Sequence, residues 1–128
     1  MSGAKLLLDT NIVIGLLKGY DPAVQLVSAT GLHLAQAAVS QITRMELLGY
    51  PGITPIEEHA IQTLLQATTC IVIDQDVERQ TIALRRKLSI KLPDAIIAAT
   101  ALTKNLRLIT LDKALLETLQ RAEADLAK

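Results

Sequence analysis

Short apolar runs alternate with helical patterns along the whole chain, and this alternation limits the possible folds more than any other feature. Residues 5–8, 32–39, 69–73 and 107–110 form apolar runs bounded by polar or turn residues, as strands do. Strands separated by helices need crossover connections, which favour a parallel sheet between helix layers. We therefore predict an α/β fold with a small parallel sheet of about four strands and helices on both faces.

Helical patterns occupy most of the chain between these strands. We predict helices at residues 11–18, 22–29, 40–48, 55–67, 76–88, 93–104 and 113–124. The fourth has the clearest start, because Thr54 and Glu57 form a capping box around Pro55 at the first helical position. The 128 residues contain no internal repeat or Pro/Gly-rich linker, so we predict one domain over residues 1–128.

The charge balance and the scarcity of aromatic residues exclude some modes of nucleic-acid binding. Lys plus Arg and Asp plus Glu both number 13, so no global basic field holds a polyanion. The chain has no Trp or Phe, and Tyr20 and Tyr50 are its two tyrosines. Single-strand binders stack bases on aromatic platforms, so this composition argues against a passive RNA-binding module.

The N-terminal apolar stretch and the single cysteine bear on location. Asp9 and Asn11 interrupt the run after Leu8 before a signal-peptide core is reached, and no apolar run approaches the length of a membrane span. Cys70 has no second cysteine for an intrachain disulfide, and we expect it to be a small buried residue of the third strand. These features predict a cytoplasmic protein that does not enter a membrane.

Three aspartates stand where parallel α/β sheets bind their ligands. Asp9 ends the first strand, Asp112 follows the last strand, and Asp94 lies in the first turn of a helix. In such sheets the carboxyl ends of the strands form the binding edge. Each aspartate also has a simpler explanation as a helix cap or as a favourable charge at a helix N-terminus.

Glu46 lies inside a predicted helix and has no such capping role. Four carboxylates that converge at one sheet edge repel one another unless a cation lies among them. Oxygen ligands alone suit Mg²⁺ or Mn²⁺. Thr10 and Thr110 stand beside the acids and could orient them, although we expect each to be an ordinary turn or capping residue. Cys70, His33 and His59 lack the spacing of zinc ligands.

Four motifs carry these acids in order along the chain. They are Leu7-Leu8-Asp9-Thr10-Asn11-Ile12-Val13-Ile14, Ser40-Gln41-Ile42-Thr43-Arg44-Met45-Glu46-Leu47, Leu92-Pro93-Asp94-Ala95-Ile96-Ile97-Ala98-Ala99-Thr100-Ala101 and Leu108-Ile109-Thr110-Leu111-Asp112. Together they resemble the PIN domain, and the small size of the chain resembles the VapC toxins of VapBC toxin-antitoxin pairs. The resemblance spans nearly the whole chain.

The resemblance implies a metal-dependent endoribonuclease whose catalytic groups and Mg²⁺ or Mn²⁺ ligands are Asp9, Glu46, Asp94 and Asp112. It implies RNA as substrate, cut to 5′-phosphate and 3′-hydroxyl ends. It also implies a homodimer and a VapB-like antitoxin that inhibits the enzyme by inserting a basic side chain into the acidic pocket. The helices at 11–18 and 55–67 carry many aliphatic residues, and we expect them to exceed what a thin domain buries and so to favour association, the alternative being that all of them pack inside a monomer. They are Ile12, Val13, Leu16, Leu17, Ile56, Ile61, Leu64 and Leu65.

Three questions stay open at this point. The basic residues Arg85, Arg86, Lys87 and Lys91 either grip RNA phosphates or form a solvated helix face. A non-catalytic PIN fold that binds RNA or protein is one alternative function. A phosphorelay receiver domain is another, with Asp74 as its acceptor and with Thr110 and Lys113 as its later hydroxyl and lysine, although Asp9 lacks the neighbouring acids that receivers use.

Overall fold

A single parallel sheet forms the centre of the computed structural model, which describes residues 3–126. Its strands are β1 (Leu6–Leu8), β2 (Ala37–Ser40), β3 (Thr69–Ile71) and β4 (Arg107–Ile109). The order is β3-β2-β1-β4, and every neighbouring pair is parallel. The predicted α/β class and the four-stranded parallel sheet are confirmed.

Within residues 3–126, seven α-helices connect and flank these strands. They are α1 (Thr10–Lys18), α2 (Asp21–Ser28), α3 (Gln41–Leu48), α4 (Pro55–Gln66), α5 (Gln75–Lys87), α6 (Leu92–Lys104) and α7 (Lys113–Leu126). Each starts and ends within about two residues of its predicted bounds. The capping box of α4 is present, with the Glu57 N–H donating to Thr54 Oγ1 and the Thr54 N–H donating to Glu57 Oε1. No helix within residues 3–126 has the length and apolar character that crossing a bilayer requires.

The two faces of the sheet bury separate hydrophobic cores. Leu6 and Leu8 point to the face covered by α1 to α4, whereas Leu7 points to the face covered by α5 to α7. This alternation follows from the two-residue period of a strand. Since β1 lies inside the sheet and is buried on both faces, its sequence is uniformly apolar instead of alternating.

The second strand begins later than predicted. The apolar run at residues 32–39 predicts a strand over its whole length, but a 3₁₀ turn (Leu34–Gln36) precedes β2. The His33 N–H donates to Gln36 Oε1 at 3.1 Å, which closes the turn. The Gln36 carbonyl accepts from the Lys5 N–H at 2.7 Å, so this segment still contacts the start of β1.

The expected burial of Cys70 is wrong. Cys70 is exposed on β3, which lies at one edge of the sheet with a neighbour on one side. Val72, just beyond β3, is 58% exposed. A parallel sheet protects its central strands on both faces and protects its edge strands less completely.

Most of the aliphatic residues that we expected to lie on the surface pack inside the domain. Ile12 and Val13 of α1 are fully buried, and Leu65 of α4 is 6% exposed. Leu17 at 37% and Ile56 at 84% remain exposed. The apolar surplus is therefore smaller than the sequence predicts, and the predicted homodimer rests on fewer residues.

Candidate metal and RNA site

Asp9 combines the two roles that its sequence position allows. It is the N-cap of α1, where its Oδ1 accepts from the Thr10 N–H at 2.8 Å, and it lies at the carboxyl end of β1. The side chain is 7% exposed. The Thr110 hydroxyl donates to its Oδ2 at 2.8 Å, and the Asn11 amide donates to the same oxygen at 3.2 Å. These bonds fix the orientation of the carboxylate.

Asn11 and Thr110 also join the turn after β1 to the turn after β4. Asn11 Oδ1 accepts from the Leu111 N–H at 3.1 Å, and Thr110 Oγ1 accepts from the Asp112 N–H at 2.9 Å. The two turns are therefore held in a fixed relation at the sheet edge. From the sequence we expected Thr110 to be an ordinary turn or capping residue, with an orienting role as the alternative, and we predicted no role for Asn11.

Glu46 reaches the same edge from α3. The Thr10 hydroxyl donates to Glu46 Oε1 at 2.9 Å and lies 3.0 Å from Thr43 Oγ1. Thr43 is fully buried, one helical turn before Glu46. Sequence reasoning missed Thr43, although its position three residues before the acid was a usable signal. The bond to Glu46 favours the orienting role of Thr10 over the turn or capping role that we expected from the sequence.

Asp94 and Asp112 complete the set from α6 and the start of α7. Asp94 is the third residue of α6, and Asp112 Oδ1 accepts from the Leu115 N–H at 3.1 Å as a helix cap does. Burial raises the pKa of Asp94, and the charges of Asp112, Asp9 and Glu46 raise it further. The charge of Lys91 lowers this pKa, with an effect smaller than those of Asp112 and Asp9 and larger than that of Glu46. Asp94 therefore lies within electrostatic range of the other three acids.

An open cavity of about 290 Å³, here called the acidic cavity, brings the four carboxylates together. Asp9, Glu46, Asp94 and Asp112 all line it, together with Thr10, Asn11, Ile14, Pro93 and Ile97. Their roles as metal ligands and catalytic groups stay predictions. The shared location is what convergence at the carboxyl edge of a parallel sheet requires.

The donor chemistry of the acidic cavity fits a hard divalent cation. Its ionisable groups are all carboxylates, which Mg²⁺ and Mn²⁺ prefer. In the described part of the chain, no three His, Cys, Asp or Glu side chains are already arranged around one ion position. Mg²⁺ usually keeps several waters and needs one or two direct carboxylates, so the set fits an ion without a closed protein cage.

A second open depression, of about 600 Å³, adjoins the acidic cavity. We call it the Tyr20 groove; it is lined by Asn11, Ile14, Gly15, Lys18, Gly19, Tyr20, Asp21 and Pro22. Asn11 and Ile14 belong to both depressions. The two depressions are therefore neighbours along α1.

The basic residues of α5 lie on an exposed part of the surface. Arg85, Arg86 and Lys87 are in the last turn of the helix, where positive charge interacts favourably with the helix dipole. Lys91 is the N-cap of α6, close enough to influence Asp94. Contact between these residues and RNA stays a prediction.

The receiver alternative is wrong. Asp74 follows the edge strand β3, two strands away from β1 and Asp9. Its carboxylate caps α5 by accepting from the Val77 N–H at 2.9 Å and pairs with Lys104 of α6. The residue thus has a structural role, remote from the carboxyl end of β1.

The PIN domain family profile matches residues 6–119. The chain belongs to the PIN domain family. This match confirms the resemblance carried by the four motifs, and it contains all four acids of the acidic cavity.

Solved structures similar to this PIN domain include toxin-antitoxin complexes. A chain of a toxin-antitoxin complex from Klebsiella pneumoniae is 38% identical, with 84% of this chain and 87% of that chain covered and a TM-score of 0.73. FitAcB from Neisseria gonorrhoeae is 24% identical, with 90% and 93% covered and a TM-score of 0.73. VapBC2 from Rickettsia felis, bound to a DNA fragment from their promoter, is 21% identical, with 88% and 92% covered and a TM-score of 0.73. The last two support the fold alone. No curated protein sequence matches significantly.

Proposed function

We propose that this PIN domain is a Mg²⁺- or Mn²⁺-dependent endoribonuclease and the toxin of a toxin-antitoxin pair. The observation that carries the proposal is the acidic cavity, which is lined by acidic residues from four separate segments. A domain without metal chemistry gains nothing from placing acidic residues whose charges raise the pKa of Asp94. Family membership supports the same conclusion.

The residues of the cavity divide into direct and orienting groups. Asp9 and Asp94 are the strongest candidates for direct metal ligands, with Glu46 and Asp112 completing the negative site. A bound divalent cation supplies positive charge to an RNA phosphate and lowers the pKa of a water molecule. Asn11 and Thr110 hold Asp9 in place, and Thr10 holds Glu46. With these partners the carboxylates keep a fixed geometry while the charge on the phosphate changes.

The substrate that we propose is single-stranded or loop RNA, cut to 5′-phosphate and 3′-hydroxyl ends. The cavity is open, so an unpaired strand has access to the carboxylates. Because the chain has equal numbers of acidic and basic residues, binding depends on local contacts beside the cavity and not on a global field. We place the enzyme in the cytoplasm, where such RNA is found.

The inhibitor that we propose is a VapB-like antitoxin encoded beside this chain. A toxin-antitoxin complex from Klebsiella pneumoniae contains the 38% identical chain, which supports a similar pairing here. An arginine inserted into the acidic cavity satisfies two carboxylates at once through its planar guanidinium. Exposed apolar side chains on α1 and α2, among them Leu17, Val24 and Leu26, support a homodimer.

Cleavage of a labelled RNA with and without divalent cation tests the catalytic proposal. The wild type should cut in Mg²⁺ or Mn²⁺ and stop on addition of a chelator. Asp9→Asn should cost at least about 100-fold in rate, because it removes negative charge from the site and keeps the shape of the side chain. Asp76→Asn is the matched control, since Asp76 is exposed on α5 and lies outside the cavity.

Two results would defeat the proposal. If folded Asp9→Asn keeps full activity, Asp9 has no role in catalysis. If the protein cuts RNA without a divalent cation, the cation has no role in catalysis. Binding of RNA without any cutting by the wild type favours the non-catalytic alternative. Product ends that accept a ligase without prior phosphatase or kinase treatment establish 5′-phosphate and 3′-hydroxyl.

The partner proposals need separate measurements. Light scattering should give twice the 13.8 kDa mass of the chain, and a 13.8 kDa species at micromolar concentration would reject the dimer. Co-expression with the product of the adjacent gene should suppress RNA cleavage. Inhibition that persists after removal of that partner's basic residues would reject insertion of a cation into the acidic cavity.

A further inference from the structure

We propose that the Tyr20 groove binds the nucleotide next to the cleaved phosphate, with its base stacked on Tyr20 and its phosphate beside Lys18. The inference rests on the proposed ribonuclease function and assigns a substrate subsite to it. The groove is a neighbour of the acidic cavity, since Asn11 and Ile14 line both. A strand that leaves the cavity past these two residues reaches the groove next.

Tyr20 provides the stacking surface. It is 54% exposed, and it is the aromatic residue among those that line the two depressions. Its position is fixed, because its N–H donates to the Gly15 carbonyl at 2.8 Å and it packs over Gly15. An exposed aromatic ring held by its own backbone suits base stacking, which depends little on base identity.

Charge in the groove distinguishes the position of the phosphate from that of the base. Lys18 is exposed at the end of α1 and makes no salt bridge in residues 3–126. Hydrogen bonds with Thr54 lower the pKa of Glu57, and the charge of Lys18 lowers it by a smaller amount. Glu57 is therefore an acidic group near Lys18. Among the residues that line the groove, Lys18 is the basic one and Asp21 the acidic one, so we assign the phosphate to the side chain of Lys18.

The chain offers a direct optical test, because it contains no Trp and Tyr20 and Tyr50 are its two tyrosines. Tyr50→Phe leaves Tyr20 as the sole tyrosine fluorophore, and Tyr20→Phe leaves Tyr50. A single-stranded oligouridylate of about eight nucleotides is titrated into each protein in Mg²⁺. The proteins also carry Asp94→Asn, so that the RNA stays intact. Tyrosine emission should be quenched in the Tyr50→Phe protein and unchanged in the Tyr20→Phe protein.

Affinity gives an independent measurement with matched controls. Tyr20→Ala should weaken binding of the same oligonucleotide by about 5- to 150-fold, the usual cost of losing one base-aromatic stack. Tyr20→Phe should retain affinity, and so should Tyr50→Ala, which removes a tyrosine that is 62% exposed outside the groove. Lys18→Gln should reduce the slope of log Kd against log salt by about 0.7, as expected for one phosphate contact on a single strand.

The outcomes separate this inference from the proposed function. Equal quenching in the two single-tyrosine proteins, unchanged affinity of Tyr20→Ala, or no saturable binding overturns the groove assignment. This holds even if the wild type cuts RNA. If Tyr20→Ala is no longer inhibited by the partner protein but keeps its affinity for RNA, the groove is a protein-docking site and the groove assignment is overturned. If the RNA binds as expected but the wild-type protein does not cut it, the groove assignment stands and the proposed catalytic function is rejected.

Discussion

The crossing of α1 and α2 beside the Tyr20 groove depends on the missing side chain of Gly15. A Cβ at this position would lie 2.5 Å from the Ala23 Cβ, whereas carbon atoms in contact prefer about 3.5–4.0 Å. Gly15→Ala gains about 1 kcal/mol of helix propensity, but an overlap of this size in a packed interior costs about 1–3 kcal/mol. We therefore expect a net loss of about 1 kcal/mol and a Tm about 3–5 °C lower.

A double-mutant cycle isolates the contact. Ala23→Gly destabilises by about 1–2 kcal/mol through propensity and lost packing. Gly15→Ala combined with Ala23→Gly moves one methyl across the crossing and should return close to wild-type stability. Urea unfolding of the metal-free proteins, followed by circular dichroism, should give a coupling energy of about 1–3 kcal/mol. Additivity within about 0.5 kcal/mol would refute the steric argument.

Three further perturbations test the electrostatics and the orienting bonds. Because the pKa of Asp94 is raised, the metal-free protein loses stability as the pH rises through that pKa. Thermal unfolding in chelator should therefore give a higher Tm for Asp94→Asn than for the wild type at pH 7, and no such difference in acid. Asp74 behaves oppositely, because hydrogen bonds from Lys104 and the Val77 N–H lower its pKa. Asp74→Asn should lower stability at pH 7, and the difference from wild type should close as acid protonates the aspartate; a pH-independent difference would contradict this. Thr110→Val should cost about 10- to 100-fold in RNA cleavage and raise the Mg²⁺ requirement, while Thr103→Val, which loses a bond within its own helix, should not.

The sequence predicted the helices and strands well because each of them has capping residues or an apolar period within its own segment. The helix from Pro55 begins where its capping box requires. The run at residues 32–39 misled because its apolar residues continue into a 3₁₀ turn that is closed by the Gln36 side chain. The second contact of this turn, from the Gln36 carbonyl to the Lys5 N–H just before β1, joins distant parts of the chain, and no pattern within the run encodes it.

The sequence predicted the acidic residues of the site, which lie in recognisable motifs, but it did not predict the contacts between distant segments. Asp9 and Asp112 stand at strand ends that sequence patterns locate, so their meeting follows from a parallel sheet. The exposure of Cys70 depends on strand order, which puts β3 at an edge, and no local pattern encodes that order. The bond between Thr10 and Glu46 joins residues 36 apart and depends on how α3 packs against α1. Such contacts are tertiary properties of the chain.

The position of β1 between β2 and β4 also orders events during protein synthesis. The bond from Thr110 to Asp9 joins residues 101 positions apart, so it forms only after nearly the whole domain has emerged. At ribosomal rates of about 5–20 residues per second, roughly 5–20 s separate the appearance of these two residues. Throughout that interval a nascent chain carries Asp9 without the hydroxyl that orients it and without Asp112. The acid set is therefore completed only when nearly the whole domain has been synthesised.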